Sequence, residues 1–180
     1  MPSSFTRTMA AAAALATLTA RPIFAQQVVD PHAVYEKGCY SCHTEHAADL
    51  ARQRLTIKAN KLIVARTGKE LSAILKSHHG VKLKADELAA INQLFRNGIA
   101  WGGVYQHRCA GCHDKAVTLA RAGLKLDGEK VIVTKTGADV RDLLKTHGEA
   151  TGTEIDTLVA MLKYQLATAP KPWRNLLPVD

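Results

Sequence analysis

The chain repeats itself, and this limits its fold more than any other feature. "VYEKGCYSCH", Val34 to His43, matches "VYQHRCAGCH", Val104 to His113, at an offset of 70 residues. "DLARQRLTI" from Asp49 then matches "TLARAGLKL" from Thr118, and "RTGKELSAILKSH" from Arg66 matches "KTGADVRDLLKTH" from Lys135, both at an offset of 69. A chain made of two copies of one unit must bury two small cores. Each copy, at about seventy residues, is near the lower limit for an independent core.

The order of elements can be read in each copy. Asp30 and Pro31 form a helix start, with a side-chain cap followed by proline at the first helical position, and that helix runs into Cys39. "LTIKANKLIVAR" and "LKLDGEKVIVTK" are extended in character, the second with an Asp127-Gly128 turn, so each copy is expected to hold a short hairpin. Thr67 with Glu70, and Thr136 with Asp139, have capping-box spacing and predict the start of a middle helix. A last helix follows, marked by Leu88, Ile91 and Phe95 in one copy and by Ile155, Leu158, Leu162 and Leu166 in the other. Gly98 is its expected stop in the first copy, and "NGIAWGG", Asn97 to Gly103, is read as a linker. The expectation is a mostly α fold of two tandem units, residues 26–98 and 99–167, each with a β-hairpin, followed by a tail over 168–180.

The chain's four cysteines all lie in the repeated motif, three apart and each pair followed directly by histidine. On one helical turn, residues at i, i+3 and i+4 share a face. Cys39, Cys42 and His43 can therefore address one flat ligand together, as can Cys109, Cys112 and His113. Two thiols can form thioethers with the vinyl groups of a haem while imidazole binds its iron; Cys-x-x-Cys-His is the attachment pattern of c-type haem. The expected cofactors are two covalently bound haem c groups. Zinc is the competing reading, but a four-thiolate site has no need of histidine after each pair. A thioredoxin-like motif would be expected once and beside a βαβ pattern that is absent. Aromatic residues make up only 5% of the chain, so a buried porphyrin would supply apolar mass that the units lack.

The opposite side of each iron needs a second ligand. The methionines are Met1, Met9 and Met161; the first two fall in the leader, and Met161 sits at the border of the last helix's apolar stripe as a core or edge residue. Both copies place a histidine on the stripe of the middle helix: Leu71, Ile74, Leu75 and His78, then Val140, Leu143, Leu144 and His147. His78 and His147 are therefore the expected distal ligands, facing the interior. His79 is the rival to His78, because "SHHG" also aligns with "THG" through its glycine. His32, His46 and His107 lack equivalents in the other copy and read as surface residues or neighbours of the haem propionates.

Residues 1–25 carry Arg7 ahead of an Ala- and Leu-rich run ending at Ala25, the pattern of a cleaved secretory signal, which implies the periplasm. The run is shorter than the roughly 20 apolar residues of a spanning helix. Without the leader, which holds Arg7 and Arg21, the 24 basic side chains fall to 22 against 16 acidic ones. No basic run interleaved with aromatics points to nucleic acid. The excess favours acidic partner proteins.

With these motifs the chain resembles a di-haem c-type cytochrome built of two class-I-like units, over most of its length. The resemblance implies a helical fold around each haem and electron transfer between redox partner proteins, with no enzymatic activity of its own. The family's usual methionine before the last helix is replaced here by His78 and His147, which implies lower potentials. The alternative functions require one open iron position: a di-haem peroxidase, an oxidase of small reduced sulfur compounds, or a haem-based ligand sensor.

Overall fold

A computed structural model describes residues 28–170; the expected leader and residues 171–180 of the expected tail lie outside the described residues. The described residues form eight helices and two antiparallel hairpins. One order of elements occurs twice. The first run is α1 (Pro31–Gly38), α2 (Ala47–Arg54), β1 (Leu55–Lys58), β2 (Lys61–Val64), α3 (Leu71–Leu75) and α4 (Ala85–Ala100). The second is α5 (Val104–Arg108), α6 (Ala116–Gly123), β3 (Leu124–Asp127), β4 (Lys130–Val133), α7 (Val140–Leu143) and α8 (Gly152–Ala167).

The local chemistry explains most of the starts and stops. The Asp30 carboxylate accepts from the His32 backbone N–H at 3.0 Å, and Pro31 follows it, as expected for the start of α1. Each hairpin closes through a two-residue turn with positive φ, at Ala59 and Asn60 in one and at Gly128 in the other. The expected capping boxes at Thr67 and Thr136 do not form. Backbone bridges Ile63–Glu70 and Ile132–Asp139 keep those residues on the hairpin side, so α3 starts only at Leu71 and α7 only at Val140. The Thr67 and Thr136 hydroxyls instead accept from the backbone N–H groups of Lys69 and Ala138, within the turn.

Gly98 does not stop α4, which runs to Ala100; the turn comes at Gly102 and Gly103, with φ of 59° and 85°. Gly98 is where α4 crosses α2: a Cβ there would lie 2.8 Å from the Cα of Ala48. At the equivalent place in α8 stands Gln165, and its side chain turns to the other unit.

Each run has its own core. Ile91, Leu94 and Phe95 of α4 pack on Tyr35, Ala51 and Leu62; Leu158, Met161 and Leu162 of α8 pack on Tyr105, Ala120 and Val131. Met161 is thus a buried core residue. The two runs meet through polar contacts that have no counterpart within either unit. Arg121 of α6 donates two hydrogen bonds of 2.8 Å to the Asp30 carboxylate, with both side chains largely buried. His32 Nε2 lies 2.7 Å from Gln165 Oε1. No helix among the described residues is long and apolar enough to cross a membrane.

Candidate functional site

The two Cys-x-x-Cys-His segments adopt the same turn at the ends of α1 and α5. The backbone N–H of Cys39 donates to Tyr35 O at 2.8 Å, and those of Cys42 and His43 donate to Cys39 O at 3.1 and 2.9 Å. The second copy reproduces this: Cys109 to Tyr105 at 2.8 Å, then Cys112 and His113 to Cys109 at 3.1 and 2.9 Å. The sulfurs and imidazole of each motif thus leave one helical turn, and all four cysteines are free thiols. Burial pushes the Cys39 and Cys109 thiols above their usual pKa, the reverse of what activates a nucleophilic cysteine or a thiolate ligand.

A residue not singled out from the sequence anchors each turn. The Tyr35 hydroxyl donates to the carbonyls of Glu45, at 2.7 Å, and His43, at 3.2 Å. The Tyr105 hydroxyl donates to the Asp114 carbonyl. Both rings are buried in their cores, so each phenol ties the chain beyond the second cysteine to the base of its unit. The signal was present: the repeated "VY" puts a tyrosine four residues before each first cysteine.

His43 and His78 face each other with ring centroids 6.0 Å apart and planes only 19° from parallel. His113 and His147 stand at 5.8 Å, with their Nε2 atoms 3.5 Å apart. Each of the four imidazoles expected at the two sites therefore lies beside its expected mate, the first pair near-parallel and the second edge-on with planes 61° apart. The ring stacked on His43 belongs to His78; His79 lies edge-on to His78 at 4.6 Å, on a residue with φ of 45°. That extra residue is taken up in the bend before Gly80, which explains why the two alignments of "SHHG" compete in the sequence.

The surroundings differ from expectation in one respect. His78 and His147 lie beyond the ends of α3 and α7, which stop at Leu75 and Leu143, and they are not on the interior face. His78 is half-buried, and His147 and Leu143 are exposed. Leu71, Leu75, Val140 and Leu144 take the core positions of the stripe, and the short helices end before their next turn would carry the imidazoles inward. Partial burial, aided by the neighbouring His79 and His43, lowers the pKa of His78 and favours the neutral ring that a metal needs.

The donor set bears on which group could be held. Two imidazoles across one ion need ring nitrogens about 4 Å apart, twice a metal–nitrogen bond of about 2 Å. The 3.5 Å between the Nε2 atoms of His113 and His147 is close to this. Among the described residues no group of three or more His, Cys, Asp or Glu side chains is gathered for a metal ion. A bare ion between two histidines would be under-coordinated, and the two cysteine pairs do not combine into a four-thiolate zinc site. A planar macrocycle that brings four nitrogens of its own would complete such a set. The chemistry of the residues present fits an iron porphyrin, which Cys39, Cys42, His43 and His78 could hold in one copy and Cys109, Cys112, His113 and His147 in the other.

The unpaired histidines divide. His107 is exposed, but His32 is not a surface residue: it is buried against Gln165, and burial pulls its pKa down to about 4. His46 is partly buried, and its Nδ1 accepts from the Ala48 backbone N–H at 3.3 Å to cap α2. Both line a cleft of about 300 Å³ between the units, which also borders His113 and Lys115. The place of His32 rests on packing between copies, which a comparison of the copies cannot reveal. Comparison of the chain with protein-family models, curated proteins and solved structures gave no match.

Proposed function

We propose that the chain is a di-haem c-type cytochrome, with two class-I-like units, that passes electrons between redox proteins. The observation that carries this reading is the paired one: two histidines with ring centroids about 6 Å apart, twice, each pair beside two free thiols on a single turn. In this reading the thiols of Cys39, Cys42, Cys109 and Cys112 form the tethers, His43 and His113 are proximal ligands, and His78 and His147 are distal ligands. When bound, each iron porphyrin supplies a one-electron ferric/ferrous couple. The protein's part is positional. Tyr35 and Tyr105 hold the Cys-x-x-Cys-His turns, His43 with His78 and His113 with His147 would leave the irons no coordination position for substrate, and the Asp30–Arg121 pair holds the units together.

The chain is then an outer-sphere carrier and not an enzyme, matured in the periplasm after export, and it serves as a free carrier or as the cytochrome subunit of a dehydrogenase. The test is spectroscopic. The oxidised holoprotein should give low-spin EPR signals only, and the reduced protein should form no carbon monoxide adduct. His78→Ala and His147→Ala should each open one iron to carbon monoxide. A high-spin fraction in the unaltered protein with rapid carbon monoxide uptake would instead support a peroxidase, a sulfur-compound oxidase or a ligand sensor.

A further inference from the structure

We infer that the surface around His78 in the first unit, and not its counterpart in the second, is the docking face for an acidic redox protein; this rests on reading His43 and His78 as the two sides of a redox site. The segment from Lys76 to Lys84 lies beside the attachment turn, since a Cβ on Gly38 would stand 3.7 Å from Val81 Cγ1. Leu83 packs on the first core and Val81 is half-buried, so the alternating Lys82 and Lys84 face outward. Lys76, the residue that closes α3, is also exposed. Among the described residues none of these lysines has a carboxylate partner. Two acids follow and keep their charge at the start of α4, where Glu87 accepts from the Lys84 backbone N–H at 2.8 Å and Asp86 from that of Glu87 at 2.9 Å, so the lysines outnumber the carboxylates by three to two from Lys76 to Glu87. Tyr40, between the two cysteines, is 49% exposed and adds an aromatic anchor of the kind enriched in interfaces.

The same surface of the second unit is built differently. Lys145, the counterpart of Lys76, pairs with Asp142 at 2.7 Å, and Arg141 pairs with Asp156. Arg108 makes a two-bond fork with Glu154, whose carboxyl it holds down at about 2. Ala110 replaces Tyr40, and the exposed Glu149 stands where the first unit carries its lysines; Asp114 and Lys115, after His113, are exposed and form no ion pair among the described residues. The stretch beside the first site therefore carries three lysines without an ion-pair partner among the described residues, while its counterpart carries one lysine, paired with Asp142, and the exposed Glu149. Outer-sphere transfer falls steeply with separation, so a partner must sit over the site it serves, and opposite charge steers it there. An anionic membrane is the weaker occupant, because lipid-binding patches gather about four to eight basic residues.

The test uses the matured, haem-loaded chain. Binding of poly-L-glutamate is followed by calorimetry at low ionic strength, beside binding to phosphatidylserine vesicles. The combined variant Lys76→Glu, Lys82→Glu, Lys84→Glu should weaken poly-L-glutamate binding by at least about tenfold, whereas the charge-matched variant Lys125→Glu, Lys135→Glu, Lys145→Glu in the second unit should change it by less than about threefold. Unchanged circular dichroism and haem absorbance show that both variants are folded. Equal losses from the two variants, no loss from the first, or tight vesicle binding that the lysines control would overturn the inference. A matured chain without covalent haem would overturn the reading of the site itself; a loaded chain whose binding ignores Lys76, Lys82 and Lys84 overturns only the docking face.

Discussion

Acid should loosen this fold through one histidine. His32 is buried between the units, its Nε2 2.7 Å from Gln165 Oε1, and its pKa falls from 6.5 to about 4. Burial is the main cause, with His46 and Arg121 adding to it, while the Gln165 bond and Asp30 partly oppose it. Below pH 6.5 the unfolded chain takes up a proton that the folded chain refuses, so the contribution of neutral His32 is whole above that value and declines as the pH falls toward about 4. At about 1.4 kcal/mol per pKa unit, the loss between about pH 7 and about pH 5 comes to about 2 kcal/mol. The assay is urea unfolding of the unaltered chain and of His32→Gln at several pH values across this range, followed by far-UV circular dichroism. Glutamine preserves a polar partner for Gln165 but does not titrate, so the difference between the two curves isolates His32 from His46 and His78. Parallel pH dependences would refute the reasoning, as would a steeper fall in the variant.

Other substitutions test the packing and the anchors. Gly98→Ala should destabilise the chain by about 1–2 kcal/mol in denaturant unfolding, because overpacking against the Ala48 backbone exceeds the helix-propensity gain of up to about 1 kcal/mol. Gly152→Ala, where nothing lies within 4 Å, should be neutral or stabilising in the same assay. Tyr35→Phe leaves the Glu45 carbonyl without its donor and should cost about 1–2 kcal/mol, with faster amide hydrogen exchange confined to residues 43–46. Asp30→Asn removes the charge that faces Arg121 and should cost about 2–3 kcal/mol, while Asp30→Asn with Arg121→Met should recover part of that loss.

The sequence exposed the duplicated parts of this fold well and the parts made between copies poorly. The repeat located the two Cys-x-x-Cys-His turns, both hairpins and the long helices α4 and α8, because apolar periodicity and turn chemistry act over a few residues. It also matched His78 with His43 and His147 with His113, since position in one copy could be checked against the other. Thr67 and Thr136 misled because capping spacing is local, whereas the bridges from Ile63 and Ile132 that hold Glu70 and Asp139 join segments across a turn. Gly98 misled for a related reason: a glycine after an apolar stripe looks like a stop, and only the crossing helix at Ala48 shows why it lies inside α4. His32 and Gln165 carry no repeat signal at all, because each meets its partner only when the two units pack.

The central claim is covalent, so mass spectrometry tests it most directly. The chain is expressed with export in a host that attaches c-type haem, and the matured protein is digested and its peptides weighed. The account predicts one iron porphyrin on the peptide with Cys39 and Cys42 and another on the peptide with Cys109 and Cys112, with no free thiol at either. Unmodified cysteines or disulfides in those peptides, from a folded and exported chain, would contradict it.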